Sequence, residues 1–215
     1  MMQELNMREN NTNGCLITFC GLDGCGKSTM IKMLNEWLLA KGRKVFLTKQ
    51  PTDFVRNTRI FRTYMDSPNH DDYDYRSLSL LAASDRIQHS NKVILPRLEM
   101  GEYVISDRYI YSCIANLRAR GYKEDMWIYE ITKSIVKPDL AIFLDTPVNV
   151  AISRIRSRGD ERYSYIDMDL QYRLREEYLK IAELNDGVVF SSNRKEEETF
   201  SDIKNYLSKI FGGVV

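Results

Sequence analysis

Short, almost wholly apolar runs alternate along the chain with longer stretches in which apolar residues return every three or four positions. The runs CLITFC (15–20), KVFLT (44–48), YVISD (103–107), LAIFLD (140–145) and GVVFSS (187–192) read as strands. They show no alternation of apolar and polar residues, so they are expected to be buried on both faces, as in a parallel sheet. Between them the helical spacing predicts helices near 27–41, 54–65, 76–99, 109–136 (broken near Gly121), 147–158, 166–184 and 196–210. Gly42 and Gly101 stand where two of these should stop. Strands alternating with helices predict an α/β, doubly wound fold: a five-stranded parallel sheet flanked by helices.

At 215 residues, the chain fits one domain, placed at 14–215. The start, MMQELNMRENNTNG, is polar and has no apolar core of a signal peptide, so residues 1–13 are expected to be a disordered extension. The net charge of +1 gives no general attraction for nucleic acid or an acidic membrane. No apolar run approaches spanning length. Cys15, Cys20, Cys25 and Cys113 have no metal-type spacing, and with His70 and His89 as the only histidines a zinc site is not expected. This cysteine usage suits a reduced, cytoplasmic protein.

GLDGCGKST (21–29) matches G-x-x-x-x-G-K-[ST] completely, with a strand before it and a helical pattern after it. Gly21, Leu22, Asp23, Gly24, Cys25, Gly26, Lys27, Ser28 and Thr29 therefore form a candidate ATP site. Glycines let backbone N–H groups face phosphates, and the following helix adds its positive end. Lys27 would reach the terminal phosphates, and the Ser28 hydroxyl would ligate Mg²⁺. A GTPase should also carry N-K-x-D; NKVI (91–94) lacks the aspartate.

Two segments point to a small-molecule kinase. Asp107 and Arg108 close the strand 103–107, at the sheet edge where α/β proteins bind ligands. Asp107 would hold Mg²⁺ through water, and Arg108 would grip a second phosphate. SRIRSRGDERY (153–163) carries Arg154, Arg156, Arg158 and Arg162. Arg154 and Arg158 share a helix face, as a short arginine-rich lid over a transferring phosphoryl group requires. Arg156 reads equally well as part of a solvated face.

With TKQPTD (48–53), LLAASDRIQH (80–89), DRYIYS (107–112) and PDLAIFLDTPVNVAISRIRSRG (138–159) in this order, the chain resembles the thymidylate kinase family of P-loop nucleoside monophosphate kinases from about Leu16 to Leu184. The resemblance implies transfer of the γ-phosphate of ATP, with Mg²⁺, to a nucleoside monophosphate such as dTMP. It implies catalytic roles for Lys27, Asp23, Arg108, Arg154 and Arg158. It places Lys49 and Arg108 on the acceptor phosphate, Arg86 on the base edge and Tyr163 over the sugar, and suggests a homodimer through helices near 54–65 and 76–95. Two positions depart from the family pattern. Ala82 stands where a phenylalanine stacks on the base, and Asn116 where an aromatic crowds the sugar's 2′ side. Asn116 is thus expected to open that side and offer a hydrogen bond. A sister kinase acting on a purine or modified-base nucleotide, or a non-catalytic nucleotide-binding protein, remains the alternative reading.

Overall fold

The computed structural model describes residues 2–66, 73–157 and 166–212. Five strands, β1 (Cys15–Cys20), β2 (Val45–Lys49), β3 (Tyr103–Asp107), β4 (Leu140–Asp145) and β5 (Val188–Ser191), form one parallel sheet in the order β2-β3-β1-β4-β5. The order explains a departure from the expected burial. β1, β3 and β4 are buried almost throughout, whereas β2 and β5 lie at the edges and are partly exposed.

The helices are α1 (Lys27–Ala40), α2 (Asp53–Arg56), α3 (Arg59–Asp66), α4 (Tyr75–His89), α5 (Leu95–Glu99), α6 (Ile110–Ala119), α7 (Trp127–Thr132), α8 (Val148–Arg156), α9 (Met168–Leu184) and α10 (Glu196–Ile210). The stretch 76–99, expected as one helix, is α4, a π-helical turn (Ser90–Ile94) and α5. The change of winding falls where Pro96 lacks the N–H that an α-helix would use. α1 packs on β2, β3 and α10; α9 packs on β4, β5 and α6; α6 packs on α4. Leu16, Ile17, Phe19 and Ile105 are completely buried in this core. Each such side chain contributes about 1.5–3 kcal/mol. Tyr111, Phe143 and Tyr178 run through it as a chain of edge-on rings.

Residues 2–13, expected to be disordered, pack against the body instead. Leu5 and Met7 are buried, and Met2 lies against the core. The Leu5 N–H donates to Asn185 Oδ1 at 2.8 Å, and Arg8 forms a lone parallel bridge with Val136. Asn10 donates to the Asp139 carboxylate at 2.7 Å, and the same carboxylate accepts from the Leu16 N–H. Three apolar side chains in a polar stretch, each with a place to bury, suffice to hold it.

Register fixes what meets at the functional edge. Phe19 and Lys49 both pair with Asp107, so the ends of β1, β2 and β3 lie abreast.

Candidate functional site

The phosphate loop leaves β1 and enters α1 through Gly26, whose φ of 94° is left-handed. A side chain there meets no steric block, so glycine is required by the backbone angle alone. Gly24 is required twice over: φ is +81°, and a Cβ would lie 2.2 Å from the Ala151 carbonyl oxygen. The loop is thus seated on α8. No acidic residue occupies the first turn of α1, so its free N–H groups present an unopposed positive end. Leu22 and Cys25 are buried beneath the loop, Ser28 is exposed, and Thr29 is half-buried at the third helical position.

Lys27 is 6% exposed and folds over the loop, donating to the carbonyls of Leu22 at 2.8 Å and Gly21 at 3.2 Å. Its Nζ is 3.9 Å from Asp23 Oδ1. Asp23 accepts from Arg108 Nη2 at 2.5 Å, while 45% of its side chain remains open to the cleft. Crowding by the surrounding protein opposes ionisation of Asp23, but the charges of Arg108 and Lys27 outweigh it and hold the carboxyl at about 2.

Arg108 reaches this position because its backbone adopts φ 68°, outside the strand it terminates. Its N–H donates to the Phe19 carbonyl at 2.8 Å, and its own carbonyl accepts from Ser106 Oγ at 2.7 Å. The guanidinium is held on a second side by the Tyr178 hydroxyl at 3.0 Å, which in turn donates to Ser112 Oγ at 3.1 Å. Burial alone would lower the Arg108 pKa, yet Asp23 more than compensates and keeps the cation charged. Neighbouring Asp107 has a buried Oδ1 with no hydrogen-bond partner among the described residues. A buried carboxylate oxygen in that state has capacity for a further donor or a cation.

Arg86 lies between α4 and α6 and is 3% exposed. It donates to the carbonyls of Ala82 at 2.8 Å and Tyr109 at 3.4 Å. Ala82, Ser79 and Tyr75 fall on the same stripe of α4, and Cys113 Sγ on α6 donates to the Ser79 carbonyl at 3.7 Å. The Ser79 hydroxyl is buried without a partner among the described residues. Asn116 is not free as the sequence suggested. Its Oδ1 accepts from Arg120 at 2.7 Å and its Nδ2 donates to the Ser112 carbonyl at 2.8 Å. Arg120 lies 4.1 Å from the Tyr75 ring centroid and bonds the Tyr64 hydroxyl at 2.9 Å. Two tyrosines and an arginine therefore surround the end of α6 that carries Asn116.

Two more expected residues make other contacts. Lys49 forms a 2.9 Å ion pair with Asp53 and lines an open groove of about 920 Å³ between β2, α2 and α4. Arg154 donates to the Ser192 carbonyl at 2.9 Å, beside the end of β5. No described contact joins either to Asp23, Lys27 or Arg108. Arg158 and Tyr163, with Arg162, lie outside the described residues. Sequence reasoning missed Tyr178 and Arg56. Tyr178 falls on a helix with no motif. Arg56 follows β2 closely enough to face the same edge, which is the one signal that pointed to it.

A glycine-rich phosphate-loop motif, an arginine tied to its aspartate and a buried arginine on α4 thus gather at one sheet edge. The same arrangement of segments runs through known proteins. The thymidylate kinase family model matches residues 19–203. A "Probable thymidylate kinase" of Thermococcus gammatolerans is 39% identical over 208 residues, covering 94% of this chain and 100% of that protein. One from Pyrococcus abyssi is 38% identical over 196 residues, with 88% and 94% covered. A "Thymidylate kinase" of Geobacillus sp. is 33% identical over 196 residues, with 87% and 93% covered. Matched from its phosphate loop to its last helix, the chain belongs to the thymidylate kinase family.

Proposed function

We propose that this protein transfers the γ-phosphate of ATP to dTMP, releasing ADP and dTDP. The observation that carries the reading is the Asp23–Arg108 pair. It joins the ATP loop to a cation at the neighbouring strand end, so two phosphate sites share one cleft. An acceptor phosphate oxygen there attacks the γ-phosphorus, and the bond from phosphorus to the bridging oxygen of ADP breaks. Lys27 releases loop carbonyls to meet the β- and γ-phosphates. Arg108 stabilises charge on the phosphoryl oxygens, which is where most of the rate enhancement for this chemistry arises. Asp23, ionised, keeps Arg108 aimed. Arg86 presents its guanidinium to the base edge.

Mg²⁺ fits the residues present. The Ser28 hydroxyl and the unpartnered Asp107 oxygen form a sparse oxygen set, as suits an ion that keeps waters and takes substrate phosphates. Held there, it would supply positive charge to offset that of the nucleotide phosphates. We assign Arg154 to the ATP side, since Ser192 holds it near the β4 and β5 ends. Arg158 and Tyr163 retain their implied lid and sugar roles as proposals. The four cysteines are unpaired thiols, which suits a reducing cytoplasm. A homodimer through α2 and α4 is supported by the open groove, where Phe54 is 79% and Leu47 45% exposed. Sedimentation velocity at micromolar concentration reads that state.

The small Ala82 beside the unpartnered Ser79 hydroxyl favours a second reading, in which the acceptor base is larger or differently substituted than thymine. Coupled ADP release with dTMP, UMP, dGMP and dAMP tests both. The highest kcat/KM is expected for dTMP; a clear preference for dGMP or dAMP would establish the second reading, and no turnover with any would remove the kinase assignment.

A further inference from the structure

The segment between β2 and α3 is held more tightly than a surface connection needs. Thr52 donates both its N–H, at 2.7 Å, and its hydroxyl, at 2.5 Å, to the Asp85 carboxylate on α4. One turn along α4, His89 Nδ1 meets the Gln50 side-chain amide at 3.0 Å and its Nε2 meets Thr48 Oγ1 at 2.9 Å. The Gln50 N–H donates to the Asp107 carbonyl at 2.9 Å. The segment is thereby fastened to α4 on one side and to the catalytic strand end on the other.

Arg56 is the last residue of α2, directly after this fastened turn. Its Nε donates to the Pro51 carbonyl at 2.7 Å, and its guanidinium lies 6.0 Å from the Phe61 ring centroid. Its terminal nitrogens make no hydrogen bond among the described residues. The side chain is half-buried, within the electrostatic reach of Arg108, Asp107 and Asp23. Burial and then the like charge of Arg108 make it harder to keep protonated than an ordinary arginine. Two guanidinium groups are thus close enough to repel each other, and the Asp23 carboxylate is already bonded to one of them. A doubly charged anion between them would relieve that repulsion and use their unpartnered N–H groups bidentately. Lys49, the expected cation, is engaged with Asp53 in the groove.

We propose that Arg56, rather than Lys49, holds the 5′-phosphate of the acceptor nucleotide, forming a two-arginine clamp with Arg108. This rests on the thymidylate kinase reading above and adds the residue that selects a nucleotide over its nucleoside.

The test is calorimetric titration of dTMP, thymidine and ATP into the intact wild-type protein and into Arg56→Gln and Lys49→Gln. Glutamine keeps a donor for the Pro51 carbonyl, and Arg56→Lys serves as a second variant that keeps the charge but not the fork. Arg56→Gln is expected to weaken dTMP on the order of 10–100-fold, the range for losing a hydrogen bond between charged groups. Thymidine and ATP affinities should change by no more than about twofold, Arg56→Lys should recover part of the loss, and Lys49→Gln should weaken dTMP less. Equal weakening of dTMP and thymidine would show a collapsed pocket and overturn the proposal. So would a loss confined to ATP, or a larger dTMP loss in Lys49→Gln. If wild type itself fails to bind dTMP, the thymidylate reading falls and the clamp with it. If wild type binds dTMP and Arg56→Gln binds it equally well, only the clamp falls.

Discussion

Removing a single oxygen, by Tyr178→Phe, isolates how Arg108 is held. The Tyr178 hydroxyl is buried, accepts from Arg108 Nη1 at 3.0 Å and donates to Ser112 Oγ at 3.1 Å. Burial raises its pKa, so the hydroxyl stays protonated across the working range and can play both parts. Without it, Arg108 Nη1 keeps only Ser112 Oγ at 3.5 Å, the outer limit of a hydrogen bond. The ring itself still packs on Phe143, so no apolar contact is lost. A bond to a charged donor contributes about 1.5–3 kcal/mol. At roughly 2–4 °C per kcal/mol for a chain of this size, Tm should fall by roughly 3–12 °C. The guanidinium is then restrained chiefly by Asp23, and its drift by a fraction of an ångström should lower kcat on the order of 10-fold to 100-fold. KM for ATP should hold. Differential scanning fluorimetry and coupled ADP release read the two effects. A lower Tm with unchanged kcat would show that Tyr178 serves stability alone. Unchanged values of both would refute the reasoning that Tyr178 restrains Arg108.

Gly24→Ala places a methyl group 2.2 Å from the Ala151 carbonyl at a left-handed φ, so α8 must retreat; ATP affinity by calorimetry should fall more than about 10-fold. Arg118→Met leaves Glu177, 5% exposed, without its 2.7 Å partner. Chemical denaturation should show a loss of about 3–5 kcal/mol, largely recovered in Arg118→Met/Glu177→Leu. Asp23, held at about 2, contributes stability that is fully present above the ordinary carboxylate value of 3.8 and fades as pH falls toward about 2. The stability gap between wild type and Asp23→Asn should therefore be constant from pH 7 to about pH 4 and narrow below it, and no acidic limb of the rate profile above about pH 4 should belong to Asp23.

What the sequence revealed follows from the range of each interaction. The phosphate loop is a contiguous motif whose geometry is set by nearest neighbours, so Gly24, Lys27 and the start of α1 were legible. Central strands announced themselves by uniform apolarity. The edge positions of β2 and β5 did not, because strand order depends on pairings that no local window contains. The course of the chain after Lys49 was hidden for a similar reason. The direction of the turn after β2 is set by Asp85 and His89, which are 33 and 39 residues from their partners Thr52 and Gln50. Asn116 looked free because Arg120, which captures it, matters only once Tyr64 and Tyr75 converge on the same guanidinium. Residues 2–13 looked disordered because three apolar side chains make no periodic pattern, yet Asn185 and Val136 supply their contacts.

The left-handed backbone of Arg108 has a consequence for how this family member can vary. A non-glycine residue at φ 68° raises the energy of the folded state by about 1–3 kcal/mol, and here Ser106 and Phe19 hold it there. Glycine would relax the backbone at once, but it would delete the guanidinium that bonds Asp23 and Tyr178. Those bonds are comparable in size to the strain, so the side chain offsets the cost of its own backbone angle. A glycine at 108 would exchange one stabilisation for the loss of another of similar size, so folding gains nothing from giving up the arginine.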